Sequence, residues 1–79
     1  MLSNDRIQVA FGLAVRARRE AAQISQERLA ELAGIHRTYV GDVERGVRNV
    51  GIANMYRIAT ALGTTLGQLG SDADGFLKN

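Results

Sequence analysis

The segment SQERLAELAGIHRTYVGDVERG, residues 25–46, limits the possible folds more than any other part of the chain. Ser25 is a natural helix N-cap and Gly34 a natural left-handed C-cap. Between them Leu29, Ala30 and Ala33 fall on one face. A full capping box needs Glu or Gln three residues after the cap, where this chain has Arg28. Beyond Gly34, residues 36–45 form a second short helix with Val40 and Val43 as its buried pair, and Gly46 ends it. Ala30 lies where the two helices cross, and a larger side chain there pushes them apart. Gly34 supplies the positive φ that the turn demands. Ile35 and Val40 fill the angle between the helices. Two short helices joined by a tight turn, set at a steep angle, follow from these residues.

The flanking segments are helical as well. Residues 5–22 put Ile7, Ala10, Phe11, Ala14 and Val15 on one face at spacings of three and four, with Asp5 as the cap and Gln8 three positions later. Residues 47–51 read as a loop. Ile52, Met55, Ile58, Ala59 and Leu62 then recur at helical spacing until Gly63. Leu66 and Leu69 predict a fifth short helix, followed by the tail GSDADGFLKN, polar except for Phe76 and Leu77. β-branched residues do not alternate with polar ones, so strands are not expected. With 79 residues and no proline or linker, the expectation is one all-α domain of five helices. Such a chain buries roughly 60% of its unfolded surface, a thin margin. Leu66, Leu69, Phe76 and Leu77, within residues 64–79, are more apolar groups than a small cap needs. They predict a homodimer interface, the alternative being that they cover the fourth helix.

The charge pattern bears on partners. Ten basic residues face eight acidic ones for a net charge of +2, and Lys78 is the only lysine beside nine arginines. Residues 1–60 carry +3 and residues 61–79 carry −1. Arginine suits planar recognition of phosphates and base edges, although an Ala- and Arg-rich chain also fits a GC-rich genome. Without Cys, neither a disulfide nor a thiolate metal site is possible, and His36 alone builds no zinc site. No cofactor, metal or small-molecule ligand is expected. Catalysis is not expected either: Asp42 and Glu44, two apart on a helix, point different ways, and no nucleophile–base set or phosphate-binding glycine loop is present. The apolar runs are too short for a membrane span or a signal peptide, so a cytoplasmic location is the default.

SQERLAELAGI, RTYVGDVERGVRN and IANMYRIATALG together resemble the Xre/Cro-type helix-turn-helix DNA-binding family, over roughly residues 11–69. RTYVGDVERGVRN is especially similar to the controller proteins of restriction–modification systems, which are short, dimeric transcription factors. The resemblance implies a five-helix, lambda-repressor-like domain with its helix-turn-helix core at residues 25–45. It implies a transcriptional regulator that binds a palindromic operator in double-stranded DNA as a dimer. A phage-type repressor or an antitoxin-like protein-interaction module on the same scaffold is the alternative.

An α-helix fits the major groove, where each base pair shows its own pattern. The second helix of the pair presents His36, Arg37, Thr38 and Tyr39, with Asp42 one turn on. Arg37 is the candidate for a bidentate contact to guanine. Thr38 suits a thymine methyl or a phosphate, and Tyr39 suits sugar and methyl groups. Asp42 accepts from a cytosine amine, orients Arg37 or Arg45, or is simply a solvated acid. Gly41 fits either close approach to DNA or tight helix packing. His36 starts the helix near the backbone. Gln26, His36, Arg45, Arg48 and Asn49 are the candidates for phosphate contacts, with Gln26 and the Arg48–Asn49 loop assigned by the resemblance, which also pairs Arg19 with Glu44 as a structural clamp. Val50 and Gly51 stand where the family frequently has Pro and Ser, and Arg18 stands where many relatives have Leu. The stem of Arg18 is expected to cover the core edge while its head reaches solvent.

Overall fold

The computed structural model describes residues 2–78. Five helices follow one another: α1 (Asn4–Ala21), α2 (Gln26–Ala33), α3 (Arg37–Glu44), α4 (Ile52–Ala61) and α5 (Leu66–Leu77). No strand occurs among the described residues. No helix of the structure is long and apolar enough to cross a membrane.

Local sequence sets the ends of most helices. Ser25 Oγ accepts from Arg28 N at 2.9 Å, and Thr65 Oγ1 accepts from Gln68 N at 3.0 Å. Gly34, at φ 69°, reverses the chain between α2 and α3. Asp5 is not the cap of α1. The helix begins one residue earlier, and Ser3 Oγ accepts from Arg6 N at 3.2 Å.

The core is built from Leu29, Ile58, Leu69, Val15, Val40 and Val43, all fully buried. Ala10, Ala14, Ala30 and Ala59 fill the gaps between them. These small residues let the helix axes approach, and Gly12 takes that furthest. A Cβ on Gly12 would lie 2.2 Å from the Val43 carbonyl oxygen and 2.9 Å from that of Glu44. The middle of α1 therefore rests directly on the backbone of α3.

Two expected core residues are outside it: Ile7 is 44% exposed and Ile52 is 68% exposed. Both sit in the first turn of their helices, and Ile7 borders an open hollow with Val50 and Met55 instead of closing on them. The fifth helix is also longer than expected. The sequence LGQLGSDADGFL forms 12 helical residues although three of them are glycines, each costing about 1 kcal/mol of helix propensity. Packing against α1 offsets that cost. Leu66, Leu69, Ala73 and Leu77 form one stripe, with Leu69 and Ala73 buried and the two ends packed on the core.

Polar contacts fasten the same pair of helices. The Arg18 head, with its side chain 32% exposed, also finds a partner: its Nε pairs closely with Asp72 Oδ2, and its Nη2 lies 3.4 Å from Asp72 Oδ1. Arg6 Nη2 donates to the Leu77 carbonyl at 3.0 Å. Hydrogen bonding to Arg18 holds the Asp72 carboxyl below its ordinary value.

Candidate nucleic-acid interface

The α3 helix is anchored from behind and open in front. Val40 and Val43 enter the core, while His36, Arg37, Thr38 and Arg45 are exposed. His36 is the N-cap residue but makes no side-chain capping hydrogen bond. Tyr39 is half-buried and packs on the core. Gly41 is buried, and a Cβ there would meet only Arg45 Nη1 at 3.5 Å and Gln26 Oε1 at 3.8 Å, which is ordinary contact.

A buried polar node fixes the far end of α3. Arg19 Nε donates to Glu44 Oε2 at 2.7 Å and Arg19 Nη2 to Glu44 Oε1 at 3.1 Å. Arg19 Nη1 donates to the Ile24 carbonyl at 2.8 Å. Gln26 Nε2 donates to Glu44 Oε1 at 3.0 Å. The node thus joins α1, the connection before α2, the first residue of α2 and the last of α3. Hydrogen bonding to Glu44 holds the Arg19 guanidinium above its ordinary value. Gln26 spends one amide hydrogen on this node, and a primary amide has two.

A second, more open network lies around the end of α3. Asp42 Oδ1 pairs closely with Arg45 Nη2, and Asp42 Oδ2 lies 3.4 Å from Arg48 Nη2. The Arg48 guanidinium also sits over the Tyr39 ring, 4.7 Å from its centre, a cation–π contact. Arg37 stands apart. Its nearest acid is Glu27 of α2, at 3.9 Å between two exposed side chains, an ion pair worth about 0–1 kcal/mol. Asn49 is exposed and borders a shallow hollow with Ile7, Phe11, Val50 and Met55.

Residues 15–69 match the protein family described as Helix-turn-helix. The restriction-modification controller protein C.AhdI from Aeromonas hydrophila is 48% identical in its crystal structure. It matches with a TM-score of 0.77 over 78% of this chain and 94% of that one. The chain belongs to the helix-turn-helix family of controller proteins. Control protein C.SmaI from Serratia marcescens is 47% identical over 55 residues, which span 70% of this chain and 66% of that protein. The controller protein C.Esp1396I, solved as a tetramer in complex with its natural 35 base-pair operator, shares the fold. Its TM-score is 0.85 over 92% of this chain and 96% of that one, at 20% identity.

In this helix-turn-helix domain α2 and α3 are the paired helices, and the end of α5 lies beyond the family match. The apolar residues expected at a dimer interface are divided. Leu69 has no exposed surface and belongs to the protein's own core, so its side chain is closed to a partner. Phe76 is 40% exposed, and it lines an open hollow with Leu77, Val9 and Leu13 of the α1–α5 face. Leu66 is half-buried away from that hollow. Sequence reasoning missed Glu27 as the neighbour of Arg37, since ten residues and a turn separate them. It also missed Arg48 as a partner of Asp42, because the turn after α3 brings the two together. The Arg45 partner was visible as a three-residue helical spacing.

Proposed function

We propose that this controller protein is a sequence-specific transcriptional regulator that binds a palindromic operator as a homodimer. The observation that carries the reading is the asymmetry of α3. Its inner side is apolar and locked, and its leading edge offers Arg37 and Thr38 to solvent on a rigid rod. A helix held in this way reads base edges in the major groove. Likeness to controller proteins, one of them solved in complex with its operator, supports the same reading.

In this mechanism Arg37 donates two parallel hydrogen bonds to guanine, and only the weak Glu27 contact must yield. Thr38 meets a thymine methyl or a phosphate. Tyr39 packs on sugar and methyl groups. Gln26, already aimed by Glu44, offers its second amide hydrogen to a phosphate. His36, Arg45, Arg48 and Asn49 add backbone contacts around the groove edge. Two copies related by a two-fold axis put their α3 helices one DNA turn apart, about 34 Å. Phe76 and Leu77 are the apolar groups offered to the second copy. No step calls for a cofactor, and the site of action is the cytoplasm, on DNA.

Footprinting on the protein's own upstream DNA, across a salt and concentration series, tests the reading. Two protected half-sites one helical turn apart are expected, with affinity falling steeply as salt rises. Arg37→Ala is expected to weaken the specific complex by about 1–3 kcal/mol and to relax preference at one base position. Equal binding to upstream and random duplex at physiological salt would overturn it.

A further inference from the structure

Asp42, the less buried of the two acids on α3, is the unexplained feature of the interface. Asp42 faces the side of the protein that meets a polyanion, where a carboxylate is repelled. Its side chain retains 22% exposure, and both of its oxygens are engaged, Oδ1 by Arg45 and Oδ2 by Arg48. A cytosine amine would have to share an oxygen that already serves an arginine. The two arginines remain open outward, with side chains 66% and 46% exposed. Tyr39 holds the Arg48 guanidinium from a second direction.

We infer that Asp42 is a specificity-determining residue that aims Arg45 and Arg48 so that they reach phosphate only when α3 is fully seated in its cognate groove. The inference rests on the DNA-binding reading above. A guanidinium carries five N–H donors, so each arginine keeps Asp42 on one edge and offers phosphate another. The carboxylate thereby fixes the direction of the free edge. On the correct sequence Arg37 and Thr38 seat the rod, and the free edges meet phosphates with the Asp42 pairs intact. On other sequences the rod stands off. The arginines must then leave Asp42 to make contact, and the uncovered carboxylate repels the backbone. Exposed ion pairs are weak enough that this biases binding without blocking it. Specificity is a difference of affinities, and an element that penalises the wrong complex raises it.

The experiment compares wild type, Asp42→Asn, Asp42→Glu and Asp74→Asn. Each is titrated against a duplex selected in vitro by the wild-type protein and against random duplex, from 50 to 200 mM salt. Asp74→Asn removes the same charge on α5, and a thermal melt checks that each variant is folded. Asp42→Asn is expected to bind random duplex more tightly and the selected duplex within about threefold of wild type. Two freed arginines at ~0.9 each steepen the salt slope by as much as ~1.8. The Asn-to-wild-type affinity ratio on random duplex then falls about twelvefold across that salt range. Asp42→Glu is expected to restore weak random binding, and Asp74→Asn to leave both affinities near wild type. Unchanged random-duplex affinity and slope in Asp42→Asn overturn the inference. So does a loss confined to the selected duplex, which makes Asp42 a base reader, and so does a parallel loss on both, which makes its role structural. If wild type selects no sequence at all, the regulator reading fails. The random-duplex comparison still decides the role of Asp42.

Discussion

Replacing Glu44 with Ala tests whether the node behind α3 holds the helix in place. Glu44 has 3% of its side chain exposed and Arg19 has 13%. The substitution leaves the Arg19 guanidinium with only the Ile24 carbonyl and frees the Gln26 amide. Removing one member of a buried pair costs about 3–5 kcal/mol. The remaining carbonyl contact and the exposed edge of Arg19 put the expected loss at the lower end, about 3 kcal/mol. A domain of 79 residues has a total stability of roughly 4–12 kcal/mol at about 0.05–0.15 per residue. The variant therefore keeps between one quarter and three quarters of its margin. At about 4–8 °C per kcal/mol, its melting temperature falls by roughly 12–24 °C.

Urea unfolding of wild type, Glu44→Ala, Arg19→Met and the double variant closes a cycle. Each single change strands a buried polar group, and the double change strands neither charge. The double variant is accordingly expected to lose less than the sum of the singles, with a coupling of about 2 kcal/mol. Coupling below about 0.5 kcal/mol refutes the argument, because independent sites add to within that figure.

Three further perturbations probe other parts of the fold. Gly12→Ala drives a methyl group onto the Val43 and Glu44 backbone, so a loss of at least about 1–3 kcal/mol is expected, and an unaltered urea midpoint excludes the tight α1–α3 crossing. Asp72→Asn tests the Arg18 pair through pH. Because Arg18 lowers the Asp72 pKa, the pair's contribution is complete above the unfolded carboxyl value of about 3.9 and is lost as pH falls through the lower folded value. Melting curves of wild type and Asp72→Asn are thus expected to differ at neutral pH and converge in acid, and a gap of equal size at both ends contradicts the assignment. Phe76→Asp puts a charge into the hollow on the α1–α5 face, and light scattering is expected to move from a dimer toward the 8.5 kDa monomer. A variant that remains dimeric removes Phe76 from the interface.

What the sequence disclosed was mostly local. Ser25 and Gly34 were legible because a cap is decided within three or four residues. Val40 and Val43 were legible because α3 is short and has one apolar face. Ile7 and Ile52 were misread because periodicity gives the direction of a helix face without saying how far the opposing helix extends. The length of α5 was hidden for two reasons. GSDADG has poor helix propensity, and its stripe emerges only when Ala73 counts as a core residue. Arg18 and Asp72 are 54 residues apart, and no spacing rule reaches that distance.

The arginine bias shows how a compositional signal divides once partners are known. Of the nine arginines, three are committed to the frame: Arg6 to the Leu77 carbonyl, Arg18 to Asp72 and Arg19 to Glu44. Three more make short-range surface contacts within their own helices, Arg16 with Glu20, Arg28 with Glu31 and Arg57 with Asn54. That leaves Arg37, Arg45 and Arg48, all on α3 or the loop after it, with the weakest or most shared partners. A net charge of +2 attracts duplex DNA only modestly, and two-thirds of the arginines contribute to it at a distance. On the proposed DNA-binding reading, the capacity to bind resides in where these last three are held. Asp42 and Glu44, two residues apart on α3, divide the pairing: Glu44 ties the helix to Arg19 of α1, and Asp42 holds Arg45 and Arg48, the cations that the proposal above has it aim.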